Sequence, residues 1–311
     1  MPSCPLCQQH DLAVISKKDR QGKALETQLC KSCGTVFNNP IPSDEELAKF
    51  YTKDYRKSYK SVAVPKKKHS LRAFKRAQGF FDSNKERLAK VETCLDVGAG
   101  GGEFLYLAKQ RGWQAQGIEP NEGYANSAKE FYDVDIFCGM MSDTDYAENS
   151  FDLIRLNHVL EHINDPVSFL AQLRNWLKDD GLLYVEVPNI KAYAALRTKG
   201  KIFHYGHIFN FSPWALQGCG KLAGFDLADD GPAESTALFF TKGEAGEAGD
   251  LVNSANYDDV KACLDRHYSG AARPFSSRIT KPLKKLVRHI KEFGKERRYK
   301  DRHSIGQDFS D

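Results

Sequence analysis

Two Cys-x-x-Cys pairs, Cys4/Cys7 and Cys30/Cys33, stand with 22 residues between them. That spacing can bring four thiolates onto one tetrahedral ion, and four sulfurs leave no open position for a substrate, so the expected metal is a structural zinc. A stretch of roughly 40 residues has too little apolar surface to fold well alone, and the ion would organise it. A second group is the run LDVGAGGGEFL, which puts Asp96 at the end of an apolar segment and Gly98, Gly100 and Gly102 in the turn that follows. Glycine there permits positive φ and lets a ligand approach bare backbone. Glu119 closes WQAQGIE seventeen residues after Gly102, and its carboxylate can accept both hydroxyls of a ribose. A third group is histidine: His158 and His162 flank Glu161 in NHVLEHINDP, and His204, Tyr205 and His207 lie in FHYGHIFNFSP. Imidazole titrates near neutral pH and suits removal of a proton from a hydroxyl.

The glycine turn discriminates between nucleotide ligands. A dinucleotide turn of the form G-x-G-x-x-G seats a pyrophosphate on the helix N-terminus, and its third glycine would fall at 103. That position is Glu103, whose charge opposes a phosphate. The G-x-G-x-G spacing suits a ligand without phosphates. A tight turn that binds nothing is the plain alternative, as loop ordering is for His162 and pocket shaping is for all the histidines.

These groups need elements to hold them. From Thr93 onward short apolar runs alternate with helical patterns, the signature of a parallel sheet wound with helices. Strands are expected at about 93–97, 113–118, 134–138, 151–156, 181–187, 225–230 and 235–241. Ser43 and Glu46 form a capping box that starts a helix at Asp44, and Leu71, Phe74, Phe81 and Leu88 mark an amphipathic helix. Ser212-Pro213 starts another, which Gly224 ends. Residues 1–40 read as a zinc ribbon, 41–90 as a helical connector, 91–241 as the α/β domain and 242–311 as a basic helical extension.

The segments LDVGAGGGEFL, GIEPNEGYAN and SFDLIRLNHVLEHINDP, in that order, resemble the first, second and fourth strand motifs of class I S-adenosylmethionine-dependent methyltransferases. The resemblance implies a Rossmann-like sheet of seven strands with S-adenosylmethionine as cofactor. It implies that Asp96, Gly98, Ala99, Gly100 and Gly102 face the methionine half, that Glu119 beside Pro120 holds the ribose, and that Asn157 and His158 line the sulfonium end. Met140 stands where many relatives place an acidic residue near the adenine, which leaves adenine to backbone and apolar contacts. His207 is the preferred base, since similar proteins often keep a histidine there, with His162 and His158 as further catalytic candidates. The ribbon followed by PSDEELAKFY resembles methyltransferases of bacterial glycan and surface-polysaccharide pathways, and also the front of sugar C-methyltransferases. The latter carry a large further C-terminal domain, which is not matched by the 70 residues after 241.

Composition narrows the partners. The chain has 311 residues, 41% hydrophobic and 28% charged, and no apolar run long enough to span a bilayer. Its start, MPSCPLCQQH, lacks the basic and apolar parts of a secretory signal, so a cytoplasmic location is expected. Twelve Lys or Arg against three Asp or Glu between Arg273 and Arg302 set a basic segment against a body of net charge −3 over residues 1–272. Leu283, Leu286, Val287, Ile290 and Phe293 give that segment an amphipathic helical pattern, suited to an anionic membrane surface, to RNA or to packing on the protein itself. Three functions follow: O-methylation of a sugar or other small-molecule or glycan precursor, methylation of RNA gripped by ribbon and tail, and a scaffold that binds S-adenosylmethionine without catalysis. Cys94, Cys138, Cys219 and Cys263 are expected as small core residues.

Overall fold

Short strands of mixed polarity carry the cysteine pairs. In the computed structural model, which describes residues 2–49, 64–228, 234–269 and 299–309, Leu12–Lys18 (β1) pairs antiparallel with Ala24–Cys30 (β2), and β2 with Val36–Asn38 (β3). A fourth strand comes from far along the chain. Phe209–Asn210 (β9) pairs antiparallel with β3, setting Val36 opposite Asn210 and Phe37 opposite Phe209. Asp44–Lys49 (α1) begins as the capping box requires: the Ser43 hydroxyl accepts from the Glu46 N–H at 3.3 Å, and the Glu46 carboxylate accepts from the Ser43 N–H at 2.9 Å.

Thr93–Val97 (β4), Gln114–Ile118 (β5), Asp135–Phe137 (β6), Phe151–Asn157 (β7), Leu177–Glu186 (β8), Phe225–Leu227 (β10) and Ala237–Lys242 (β11) form a mixed sheet of seven strands in the order β10-β11-β8-β7-β4-β5-β6. Pairing is parallel along β4-β5-β6 and antiparallel along β8-β11-β10. This is the α/β, Rossmann-like arrangement expected from the alternation of apolar runs and helices. β8 begins at Leu177, ahead of the expected 181, and Lys242 on β11 binds Asp179 of the added stretch at 3.0 Å.

The chain packs as two units, residues 1–57 with 156–271 and residues 58–155 with 272–311. In the second, Lys67–Ser83 (α2) buries Leu71, Phe74, Ala77, Phe80 and Phe81. The helix stops at Ser83, where the Asn84 side chain turns back to donate to the Phe80 carbonyl at 2.7 Å, so Leu88 is buried beyond the helix rather than on it. Phe74 is fully buried, with its ring centroid 5.9 Å from Tyr106 of Glu103–Gln110 (α3), 5.4 Å from Tyr132 of Glu122–Tyr132 (α4) and 5.4 Å from Phe309. The helix Arg302–Asp308 adds to this cluster, since a Cβ on Gly306 would lie 3.1 Å from Tyr106 and 3.4 Å from Phe74. The expected basic amphipathic stretch at 283–295 lies outside the described residues.

The first unit has its own core, in which Leu29 and Val36 from the ribbon strands meet Ile190, Ala194, Val260 and Leu264. Ile190–Leu196 and Ser254–Ser269 supply the last four. The Ser212 hydroxyl accepts from the Ala215 N–H at 3.2 Å to cap Pro213–Leu222, and Gly224 follows that helix at φ +81°. Cys94 and Cys219 are buried and Cys263 half-buried, but Cys138 is exposed, because it lies just past the short strand β6 at the edge of the sheet.

Candidate functional site

The turn after β4 is built for backbone access. Gly98, Gly100 and Gly102 stand at φ +74°, +58° and +80°, in the left-handed region that side chains disfavour. Gly98 and Ala99 both donate to the Ile118 carbonyl, at 2.8 and 3.0 Å, which locks the turn to the end of β5. A Cβ on Gly102 would lie 2.7 Å from that of Ala128, so this glycine is also required by helix packing; a Cβ on Gly100 would meet nothing within 4 Å. Gly100 keeps open space over the backbone.

Glu119 is buried at the end of β5, and each of its carboxylate oxygens accepts one backbone N–H, from Gly100 and from Asn121, both at 2.8 Å. Burial pushes its acidity down and these two bonds oppose that. A carboxylate has about four acceptor sites, so two remain for further donors. Pro120 is exposed beside it. Met140 is 52% exposed and Phe137 39%, an apolar pair at the end of β6, whose Phe137 carbonyl receives the Glu119 N–H at 3.0 Å. Phe137 was not among the expected site residues. Its exposure at the end of β6, next to the buried Ile136, is visible only in the fold.

Asp96 is not open to a ligand on all sides. It is buried, and Arg155 on β7 donates to its carboxylate at 2.7 Å, with the guanidinium 4.4 Å over the Phe104 ring. Burial pushes the Asp96 carboxyl up, and Arg155 pulls it back. Glu103 is buried at the first turn of α3, and a Cβ on Gly101 would lie 2.7 Å from both its carboxylate oxygens. A carboxylate therefore fills the seat where a phosphate-binding turn keeps bare backbone.

In the unit of residues 156–271, the loop leaving β7 gathers the histidines. Asn157 and Tyr184 both donate to one Glu186 carboxylate oxygen, at 2.8 and 2.9 Å, and the His158 N–H donates to the Glu186 carbonyl at 2.8 Å. His158 sits at φ +58°, a strained conformation for a residue with a side chain. The next turn carries Glu161 into the interior with 2% of its side chain exposed. Around its Oε1 lie His158 Nδ1 at 3.4 Å, His162 Nε2 at 3.7 Å and His207 Nε2 at 3.9 Å. Thus the three histidines singled out in the sequence converge on one buried carboxylate. His162 Nδ1 meets the Gly206 carbonyl, and the His204 and His207 rings lie 3.8 Å apart. Burial, then neighbouring cations and imidazoles, pushes His204 down to about 3 and His207 lower still. Both rings are neutral at ordinary pH.

The four ribbon cysteines are all buried thiols. Cys4 and Cys33 sulfurs are 3.7 Å apart and Cys7 and Cys30 sulfurs 3.5 Å apart. Sulfurs bound to one tetrahedral zinc at about 2.3 Å stand about 3.8 Å from each other, so the donor set and its spacing fit that ion. Asn256 donates to the Cys33 carbonyl at 2.6 Å, and a Cβ on Gly34 would strike the same asparagine side chain at 2.5 Å. Asn38 donates to the His207 carbonyl at 2.9 Å. Neither asparagine carries a signal in the sequence, since each acts across 150 residues or more of chain.

Among known proteins, a family model described as a methyltransferase domain matches residues 70–229, just over half of the chain. A ubiquinone biosynthesis O-methyltransferase of Rhodopseudomonas palustris (strain BisB5) is 30% identical over 115 residues, which cover 33% of this chain and 45% of that protein. A tRNA U34 carboxymethyltransferase of Dichelobacter nodosus is 36% identical over 98 residues, covering 30% of this chain and 31% of that one. Among solved structures, the 1,6-didemethyltoxoflavin-N1-methyltransferase of Burkholderia thailandensis matches 68% of this chain and 96% of its own at 18% identity and a TM-score of 0.46. The chain thus spans less than half the length of these curated relatives. With the sheet order and the glycine turn in place, the match over residues 70–229 decides the family: the chain belongs to the methyltransferase-domain family.

Proposed function

We propose that the protein is an S-adenosylmethionine-dependent methyltransferase that methylates a hydroxyl of a small molecule, a sugar or glycan precursor of a surface polysaccharide being the class in view. The observation that carries the donor is Glu119, anchored by the Gly100 and Asn121 N–H groups with two acceptor sites to spare, beside a turn whose Glu103 turns phosphates away. S-adenosylmethionine, when bound, supplies a methyl group on an electrophilic sulfonium. Glu119 with Pro120 orients the ribose, and Met140 offers adenine an apolar contact. Gly98, Ala99, Gly100 and Gly102 bring backbone to the methionine half, with Asp96 held at a fixed place by Arg155. Asn157 and His158 stand at the sulfonium end.

Methyl transfer needs an aligned acceptor more than it needs a powerful base. A hydroxyl must still lose its proton, and the Glu161 cluster of His207, His162 and His158 is the group we assign to that task. Zinc on Cys4, Cys7, Cys30 and Cys33 holds the ribbon, residues 1–40, beside a connector over 41–90, a catalytic domain over 91–241 and an extension over 242–311. No helix among the described residues is long and apolar enough to cross a membrane, and we place the enzyme in the cytoplasm.

The test uses purified full-length protein. S-adenosylmethionine is expected to raise the melting temperature where NAD does not, and labelled methyl is expected on nucleotide sugars. A shift with NAD alone overturns the donor; methylation of bulk RNA with none of sugars moves the acceptor to nucleic acid. His207→Ala should slow turnover while leaving donor affinity unchanged, and weakened donor binding would remove His207 from its assigned place.

A further inference from the structure

Both carboxylate oxygens of Glu161 are buried and have no hydrogen-bond partner among the described residues. A carboxylate taken out of water is costly unless it is paired, by several kcal/mol. Three imidazole nitrogens face Oε1, at 3.4, 3.7 and 3.9 Å, and none of them hydrogen-bonds to it. Those of His162 and His207 stand within a few tenths of an ångström of the spacing of ligands on a shared ion, since donors bound at about 2.1 Å to a tetrahedral ion are about 3.4 Å apart. The ligand atoms of Glu161, His162 and His207 all lie within 4.8 Å of each other.

The ring of His162 carries a second sign. Its Nδ1 lies against the Gly206 carbonyl, which can only accept, so Nδ1 holds a proton and Nε2 is the nitrogen that faces Glu161. The ring's other nitrogen bonded to a backbone carbonyl is also the usual outer support of a metal-bound histidine.

We infer that Glu161, His162 and His207 bind a divalent transition-metal ion of the kind that takes mixed imidazole and carboxylate ligands, zinc or iron(II) being the first candidates. Two histidines and one carboxylate leave at least one position open, unlike the closed four-sulfur ribbon. An oxygen bound at that position loses its proton more readily. On the acceptor reading above, the hydroxyl oxygen of the substrate takes it, its O–H proton passes to the more exposed ring of His158, and the oxygen keeps the electron pair with which it attacks the methyl group. Binding of the ion itself does not depend on that reading.

The experiment is cobalt(II) titration of the full chain, with metal content by elemental analysis. Wild type is expected to bind two equivalents: one with the intense sulfur-to-cobalt charge-transfer band of the ribbon, and one with weak visible bands and no sulfur signature. Glu161→Gln and His207→Ala should each drop to one equivalent while keeping the sulfur band, which reports an intact fold in the same sample. A wild type that stops at one equivalent, or a second equivalent that survives both substitutions, overturns the site. Should a variant lose the sulfur band as well, proton NMR of the cobalt-loaded wild type decides: paramagnetically shifted imidazole resonances beyond the ribbon's own support the site, and their absence overturns it. No methyl acceptor enters these measurements, so an empty site leaves the acceptor reading standing, and a filled site with no hydroxyl methylated sinks that reading alone.

Discussion

The side-chain amide of Asn38 donates to the backbone carbonyl of His207 at 2.9 Å. Its backbone N–H donates to the Ile208 carbonyl at 2.8 Å, and its own amide oxygen receives the Thr27 hydroxyl at 3.1 Å. One asparagine on the last strand of the cysteine ribbon therefore fixes the backbone of a histidine in the Glu161 cluster. The four-cysteine strands have a structural route to that cluster through β3 and β9.

Asn38→Asp tests that route. Aspartate keeps the acceptor for Thr27 but loses the donor and places a carboxylate beside the His207 carbonyl. Leaving a buried acceptor unmet costs about 1–3 kcal/mol. Melting temperature and turnover should both fall with donor affinity unchanged. Unaltered turnover would show that the ribbon does not position His207.

Metal removal tests the ribbon. Cys30→Ser should remove the sulfur-bound equivalent of zinc and destabilise the protein to heat, with a loss of protection in amide exchange at Val36 and Phe37 as well as at their partners Phe209 and Asn210. A full complement of zinc in this variant, by elemental analysis, would refute the four-cysteine site.

The glycine turn yields a paired prediction. Gly100→Ala faces only the left-handed φ, roughly 1–2 kcal/mol, because its Cβ would point into open space. Gly102→Ala adds a collision with Ala128 at 2.7 Å and should cost more in urea unfolding. Calorimetry should show Gly100→Ala weakening S-adenosylmethionine binding more than stability. The reverse order would mean that the turn serves packing alone.

Arg155→Met would leave Asp96 buried without its partner, and breaking such a pair costs about 3–5 kcal/mol. Adding Asp96→Asn should recover part of that stability, since the two residues are coupled. Additive losses in chemical denaturation would show that the 2.7 Å contact does not couple them.

Most of the sheet was legible in the sequence because its strands are continuous apolar runs bounded by turn residues, as in TCLDV and LLYVEV, and their positions agree with β4 and the end of β8. The caps at Ser43 and Ser212 were legible for a similar reason, since a capping bond spans three residues. The end of α2 was not: Leu88 continues the apolar period, but the Asn84 side chain ends the helix through a bond that no periodicity encodes.

Residue type and spacing alone determined that four thiols could meet, that the glycine turn disfavours phosphate and that His158, His162 and His207 were chemically able residues, because each depends on local chemistry or on short intervals along the chain. Tertiary structure decided what surrounds them. Arg155 claims Asp96, Phe209–Asn210 completes the ribbon sheet, and Glu161 stands with its oxygens unmet among three imidazoles. Those relationships join residues far apart in sequence, and burial makes them energetically costly to leave unpaired; neither property is written in any short stretch of the chain.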